Sequence, residues 1–263
     1  MTARRVRAAV LSSVVFANNK AKLLAIRLTR WTGKSREYVH PKHLLGDSEE
    51  NYWYLGYVAP DAEVLDVGCG NGMHSLKAAR RCRHVVGVDA SGESLGVAVR
   101  ESRARAIAQA TFVRGDVEEG LPVRTGCFGV VLCLDLLEHV HKRDFLLTEI
   151  RRSLKPGGSM LLSVPNRGTS WKRRLDRAGL FSYSDPDHKI EYTLEELEAE
   201  LARNGFRIVH LHPTVYDTPL IGAIDLVGGL SLGLYRRLTE ARRRLARAYP
   251  EENAGFFAVC AAK

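Results

Sequence analysis

The chain has 263 residues, 45% hydrophobic and 26% charged, an ordinary globular composition that allows one large domain, or one with additions, and excludes a low-complexity chain. Its five cysteines (Cys69, Cys82, Cys127, Cys133, Cys260) form no C-x-x-C pair and no metal spacing, so they read as reduced core cysteines of a cytosolic protein, not a disulfide scaffold. The formal charge of +9 is uneven: residues 1–42 carry ten Lys or Arg against Glu37, residues 235–247 carry six Arg against Glu240, and the rest is mildly acidic.

The basic start and the apolar run Ala8 to Ala17 imitate a secretory signal, but Ser12 and Ser13 interrupt the run. A helix is the better expectation, with Leu24, Leu28 and Trp31 on one face and Lys20, Arg27 and Lys34 beside it. Such a helix suits three roles: a lid over an active site, an element lying on an anionic membrane, or a basic helix docked on its own domain. His40-Pro41-Lys42-His43-Leu44 breaks the helical pattern. Asp47 or Ser48 can then cap a short helix that holds Tyr52, Trp53, Tyr54 and Tyr57.

Val64 to Val67 reads as a buried parallel strand, followed by glycines at alternate positions, Gly68, Gly70 and Gly72. Glycine permits positive φ and lets a ligand approach the backbone, and the helix expected over Met73 to Arg81 points its first amides at that ligand. His84 to Asp89 reads as a second strand ending in a carboxylate, the place where nucleotide-binding α/β folds hold ribose hydroxyls. Ser91 caps a helix to about Ala108, and Thr111 to Arg114 is a third strand leading into Gly115-Asp116-Val117. Phe128 to Leu134 is a fourth, apolar strand, followed by Asp135-Leu136-Leu137-Glu138-His139-Val140-His141 at the strand end where ligands bind in such sheets. A helix over Asp144 to Leu154, a turn at Lys155-Pro156-Gly157-Gly158 and a fifth strand over Ser159 to Val164 come next.

Residues 166–192 read as an irregular polar loop of the kind that carries substrate contacts, with Trp171, Tyr183, His188 and Tyr192 in it. Thr193-Leu194-Glu195-Glu196 matches a capping box, and its helix ends at Asn204-Gly205. Arg207 to Leu211 and Phe256 to Ala262 supply the sixth and last strands. Between them Leu220 to Leu234 is apolar but, at fifteen residues with four glycines, shorter than the roughly 17–25 needed to span a bilayer. The basic stretch Tyr235 to Arg247 follows, so the pair suits a membrane-surface element or a buried helix leading into a solvated one. Alternating strands and helices argue for an α/β parallel sheet with helices on both faces.

The glycines run G-x-G-x-G after Asp66, which departs from the G-x-G-x-x-G of nicotinamide enzymes. With Asp89, Gly115-Asp116-Val117, the Glu138-His139 pair, the Pro-Gly-Gly turn and Val164-Pro165-Asn166, the chain resembles the class I S-adenosylmethionine (SAM) dependent methyltransferases of small-molecule type, from about Tyr54 to Phe206. The resemblance implies a Rossmann-like seven-stranded, mostly parallel sheet with an antiparallel last strand. It implies four segments: a basic helical extension or lid (1–50), a SAM-binding core (51–212), an apolar-then-basic helical insertion (213–250) and a final core strand (251–263). It also implies a cofactor set of Asp66, Gly68, Cys69, Gly70, Asn71, Gly72, Asp89, Ala90, Asp116, Val117 and Leu134. In it the backbone around Gly68 and Gly70 takes the methionine part, with Asp66 near the amino group. Asp89 takes the ribose, and Asp116 with Val117 the adenine.

Because the sulfonium already activates the methyl group, the protein's main task is alignment, and an alcohol acceptor adds the need for a general base. His139, His141 and His188 are the candidates; no metal is required, and no spacing in the sequence demands one. The expected function is methyl transfer to a small molecule, such as a hydroxyl of a sugar, lipid-linked glycan or specialised metabolite, in the cytoplasm with peripheral membrane contact through the basic segments. A nucleic-acid methyltransferase also suits basic patches. However, Leu134-Asp135-Leu136-Leu137 stands where base-amino enzymes carry Asn/Asp-Pro-Pro-aromatic, and there is no Pro-Cys nucleophile. A SAM-binding regulator without turnover shares the cofactor motifs and stays open.

Overall fold

A computed structural model describes residues 3–35, 40–45 and 52–263 of the chain. The cap expected at Asp47 or Ser48 lies outside the described residues. The chain opens with α1 (Ala3–Trp31) and a 3₁₀ turn at Pro41–Leu44, then a second 3₁₀ turn, Trp53–Tyr57, that holds the aromatic run. The α/β core follows: β1 (Glu63–Val67), α2 (Met73–Ala78), β2 (His84–Asp89), α3 (Gly92–Ala104), β3 (Ala110–Arg114), β4 (Phe128–Leu134), α4 (Arg143–Ser153) and β5 (Leu154–Pro165). The remainder comprises α5 (Ser170–Arg177), α6 (Leu194–Arg203), β6 (Phe206–His212), α7 (Ile221–Leu230), α8 (Leu232–Ala248) and β7 (Gly255–Ala262).

The strands form one sheet in the order β3-β2-β1-β4-β5-β7-β6, parallel from β3 to β5, with β7 antiparallel to β6. Along β1 and β4 the apolar side chains alternate between two clusters. Leu65, Val67, Val131 and Cys133 join Leu146, Leu147 and Ile150 of α4 and Leu197 and Leu201 of α6 on one face. Val64, Val130 and Leu132 join Leu76, Trp53 and Tyr54 on the other. This is what a continuous apolar strand predicts when helices cover both faces, and each buried Leu or Val contributes about 1.5–3 kcal/mol.

Local chemistry explains most of the ends. Ser91 Oγ accepts from the Ser94 amide and starts α3, while the expected capping box at Thr193 and Glu196 starts α6. Helix α2 ends at Ala78, short of the expected Arg81, and three further differences from expectation have a local cause. Helix α3 stops at Ala104, because Ala106 turns left-handed and Ser102 Oγ bonds to the carbonyl of the buried Ile107. The Lys155–Gly158 turn is a bulge inside β5: Phe128 pairs with Leu154 but Val130 already pairs with Ser159, so the intervening residues arch out of the ladder. Residues 166–192 are not wholly irregular, since Thr169 Oγ1 accepts from the Lys172 amide and starts the very polar helix α5.

The chain divides into two compact units, one of Met1–Asn51, Asn166–Ser184 and Pro213–Gly255, the other of Tyr52–Pro165, Asp185–His212 and Phe256–Lys263. The first gathers α1, α5, α7 and α8, so the 166–184 segment goes with the basic helices. Within it α1 lies on α7. A Cβ at Gly222 would stand 2.7 Å from the Asn18 backbone, and one at Gly229 2.7 Å from Leu28 Cβ. Asn18 accepts from the Gly222 amide and donates to the Pro219 carbonyl. So close a seam admits small side chains, so Ala25 and Thr29 are buried in α1, whereas Leu24 and Trp31 of the expected face are exposed. The apolar stretch from Leu220 breaks at Ser231, whose hydroxyl caps α8. A buried network, His40 and Tyr235 on Asp225, holds α7 and α8.

Candidate active site

Apart from Leu134, which ends β4, the expected cofactor residues lie at the C-terminal ends of β1, β2 and β3. Gly68, Gly70 and Gly72 have φ of +71°, +51° and +76°, a path that L side chains rarely take. A Cβ at Gly68 would meet Leu136 at 2.7 Å and one at Gly72 would meet Ala98 at 2.7 Å, while Gly70 faces open space. The loop is therefore packed from below at its ends and open at its middle. Asn71 Oδ1 accepts from the amide of Met73, the first residue of α2. Cys69 is buried, its thiol pushed up first by burial and then by Asp66, so it is no nucleophile.

Asp89 ties the loop to the second strand: its carboxylate accepts from the Gly70 amide at 2.8 Å and from the Ser91 amide at 2.8 Å. Ala90 accepts from Arg114 Nε, and the Gly115 amide donates to the Asp89 carbonyl, which brings Asp116 and Val117 alongside. Asp116 is exposed and shapes its own turn through the Glu118 amide. Asp66 lies beneath the loop, 2% exposed, with Ser75 Oγ donating to it at 2.5 Å. Burial raises its carboxyl to about 7 against the opposing Ser75 bonds. Of the aromatic run, Tyr54 bonds to His74 in the first turn of α2 and Tyr52 lies under Lys77 Nζ. Trp53 instead stacks on Phe257, and Tyr57 bonds to His212.

The second group of side chains stands at the end of β4, beyond the buried Leu134. Asp135 has φ +51°, left-handed for a non-glycine residue, and is held by Ser163, whose hydroxyl donates to its carboxylate at 2.6 Å. Strain of this kind concentrates at functional sites. The turn it makes feeds a 3₁₀ turn, Leu137–His139, that sends Glu138 inward and leaves His139 exposed. The Lys189 amide bonds to the Glu138 carbonyl and so brings His188 across. The His139 and His188 rings meet edge to face with centroids 4.7 Å apart. His188 Nδ1 in turn bonds to Oε1 of the fully buried Glu191 at 2.8 Å.

Of the three candidate histidines, His139 and His141 from motif position and His188 from the polar loop, His139 and His188 are in contact. His141 takes no part in that pair; its backbone amide donates to the Glu118 carboxylate and the residue is exposed. Burial, then His188, lowers the His139 pKa. Burial, then Asp135 and Glu191, raises the Glu138 carboxyl to about 8. Sequence reasoning treated Glu138 only as half of a motif and did not single out Glu191. Its one available signal was the spacing His188-x-x-Glu191. A site that unites residues 135–139 with 188–191 is invisible to local spacing.

Residues 65–162 match the protein family described as a methyltransferase domain. A ubiquinone biosynthesis O-methyltransferase of Cronobacter sakazakii is 34% identical over 150 residues, covering 54% of this chain and 59% of that protein. The protein of the same name from Escherichia fergusonii is 35% identical over 150 residues, covering 54% and 60%. The chain thus spans less than two thirds of the length of these curated relatives. Among solved structures, a magnesium protoporphyrin IX methyltransferase of Synechocystis with bound SAH shares the fold at a TM-score of 0.52 and 21% identity, covering 68% of this chain and 78% of that one. Over residues 65–162 the core is thus similar to a methyltransferase domain, and its fold is that of the class I SAM-dependent methyltransferases.

Proposed function

We propose that the protein transfers the methyl group of SAM to a hydroxyl of a small molecule, and that the single observation carrying this is the exposed His139 set against His188 at the end of β4. The acceptor oxygen forms the new bond to the methyl carbon while the carbon–sulfur bond breaks with its electrons going to sulfur. The sulfonium becomes the neutral thioether S-adenosylhomocysteine, and the hydroxyl proton passes to His139. A histidine held neutral by burial and by a second imidazole suits that task. Bound SAM runs from Gly68 and Gly70 at the methionine part to Asp89 at the ribose and Asp116 with Val117 at the adenine, with Asp66 keeping the loop in shape. The names of the relatives, O-methyltransferases of ubiquinone biosynthesis, support an oxygen acceptor. A sugar, a lipid-linked glycan or another specialised metabolite fits this reading.

We further infer contact of α1 with an anionic membrane at the cytoplasmic face. Among the described residues α1 holds the one span long and apolar enough to cross a bilayer by length and composition. Its docking on α7 leaves Val10, Phe16, Leu23 and Trp31 exposed beside Lys20, Arg27 and Arg30, a pattern that suits lying on the surface.

The test is purified protein incubated with methyl-labelled SAM and fractionated cell extract. Label is expected in a small molecule, in the organic phase if the acceptor is lipid-linked. Label in RNA, or SAM binding with no labelled product in any fraction, would overturn the reading. Asp89→Ala is expected to weaken SAM binding by about tenfold or more, through the lost Gly70 and Ser91 bonds and the lost ribose acceptor. His139→Ala is expected to lower turnover by about 10²-fold or more while SAM affinity stays within about twofold.

A further inference from the structure

We propose that the exposed side of α8 is a docking site for an acidic amphipathic helix of another protein. Helix α8 carries more apolar surface than its own unit buries. Tyr235, Thr239, Arg242 and Ala246 face inward and are buried. Polar bonds fix that orientation: the Tyr235 hydroxyl donates to Asp225, and Arg242 Nε donates to the Tyr216 carbonyl at 2.9 Å. The Tyr216 amide returns a bond to the Arg242 carbonyl. With these bonds in place the helix cannot roll to hide another face.

Beside the buried side runs a second stripe, Leu234, Leu238, Ala241, Leu245 and Ala248. Leu238 is half-buried and the other four are exposed, Leu234 to 48% and Leu245 to 45%. The residues follow one another in steps of four, three, four and three, the 3.5-residue period of a coiled-coil seam. At 3.6 residues per turn they occupy about 80° of the helix. A narrow seam of this kind packs against one other helix, whereas a helix facing a core needs a broader apolar side.

Charge selects the partner. Six arginines stand against one acid, Glu240, along α8. Arg237 and Arg244 are exposed and line the outer edge of the stripe, the flanking positions that set partner choice and orientation in a coiled coil. A second copy of α8 would bring its own arginines to the seam, a repulsive pairing, while a helix with glutamates on its flank meets opposite charge. An anionic bilayer also attracts arginine, but a helix lying in it presents a broad face of large apolar side chains. This stripe is narrow and has alanine at two of its five positions. Those alanines leave room for large side chains from a partner helix.

The probe is a fluorescein-labelled peptide of three heptads with leucine at the seam and glutamate at both flanks, titrated with the full-length protein and read by anisotropy. A twin peptide carries lysine at the flanks, and like charge keeps each peptide from pairing with itself. The glutamate peptide is expected to bind in one equivalent, about tenfold or more tighter than its twin. Leu234→Ser combined with Leu245→Ser should weaken it by about tenfold or more, with the urea midpoint of the variant unchanged. Arg237→Glu combined with Arg244→Glu should reverse the preference in favour of the lysine peptide, which an unfolded variant could not do. No saturable binding, equal binding of the two peptides, or a preference that survives the charge reversal would overturn the proposal. So would anionic-vesicle binding, or a dimer in sedimentation, that the two serine substitutions abolish. The stripe would then belong to a lipid surface or to a second copy of this chain.

Discussion

Asp66 shows how much a single residue type can conceal. Its place ahead of the glycine loop was legible, but its setting, fully buried on Ser75 and so raised from 3.8 to about 7, was not. Between those two values the folded chain holds a proton that the unfolded chain has released. This contribution to stability is complete below the unfolded value and is lost as pH rises through the folded one. Wild-type protein is therefore expected to lose more stability between pH 5 and pH 8 than Asp66→Asn, which stays neutral throughout. The difference should be on the order of 2–4 kcal/mol, measured by urea unfolding at both pH values. Parallel pH profiles for the two proteins would return Asp66 to an ordinary carboxylate. The three loop glycines likewise differ in ways the motif hides: a Cβ at Gly68 or Gly72 would collide with neighbours, whereas Gly70 faces open space.

Elements were readable wherever the local signal and the packing agree. Strand β4 was placed residue for residue because a seven-residue apolar run is buried along almost its whole length. The capping box of α6 was equally plain. Helix α5 was missed because its composition is that of a loop and only Thr169 marks its start. The docking face of α1 was not legible for a different reason: the partner chooses the face. Glycines of α7 bring the helix axes close, so α1 offers Ala25 and Thr29 to the seam and leaves its larger apolar side chains outside. Gly222→Leu is therefore expected to expel α1 from α7 and to speed proteolytic cleavage within α1 by about tenfold or more. Gly233→Ala in α8, where a Cβ meets nothing within 4 Å, is the control and should stabilise by about 0.5–1 kcal/mol. Equal protection of α1 in both variants would mean that the seam does not hold it.

At the scale of the whole molecule the basic segments fall in the unit of α1, α5, α7 and α8, and the candidate active site falls in the unit of the sheet. The exposed apolar and basic side chains of α1 predict co-sedimentation with vesicles rich in anionic phospholipid. Binding should fall steeply between 50 and 500 mM salt, roughly 1 kcal/mol for each basic residue near the surface. The paired change Phe16→Glu and Trp31→Glu should weaken it by about tenfold or more even at low salt. No co-sedimentation of the wild-type protein with these vesicles, even at low salt, would make α1 a helix that serves its own unit.

The sequence by itself determined the candidate cofactor half of this protein. Strand, glycine loop, the Asp89 carboxylate and the Gly115-Asp116 pair are each a local stretch, and parallel pairing of β1, β2 and β3 places their ends side by side without further information. Only the tertiary structure decided the candidate acceptor half. Glu138 and His139 come from the turn after β4, while His188 and Glu191 lie about fifty residues on in a loop with no periodic pattern. Their meeting depends on the Lys189 amide reaching the Glu138 carbonyl and on a core that leaves Glu138 Oε2 buried. Long-range contacts of this kind carry no period and no fixed spacing, so the chemistry they assemble appears only once the chain has folded.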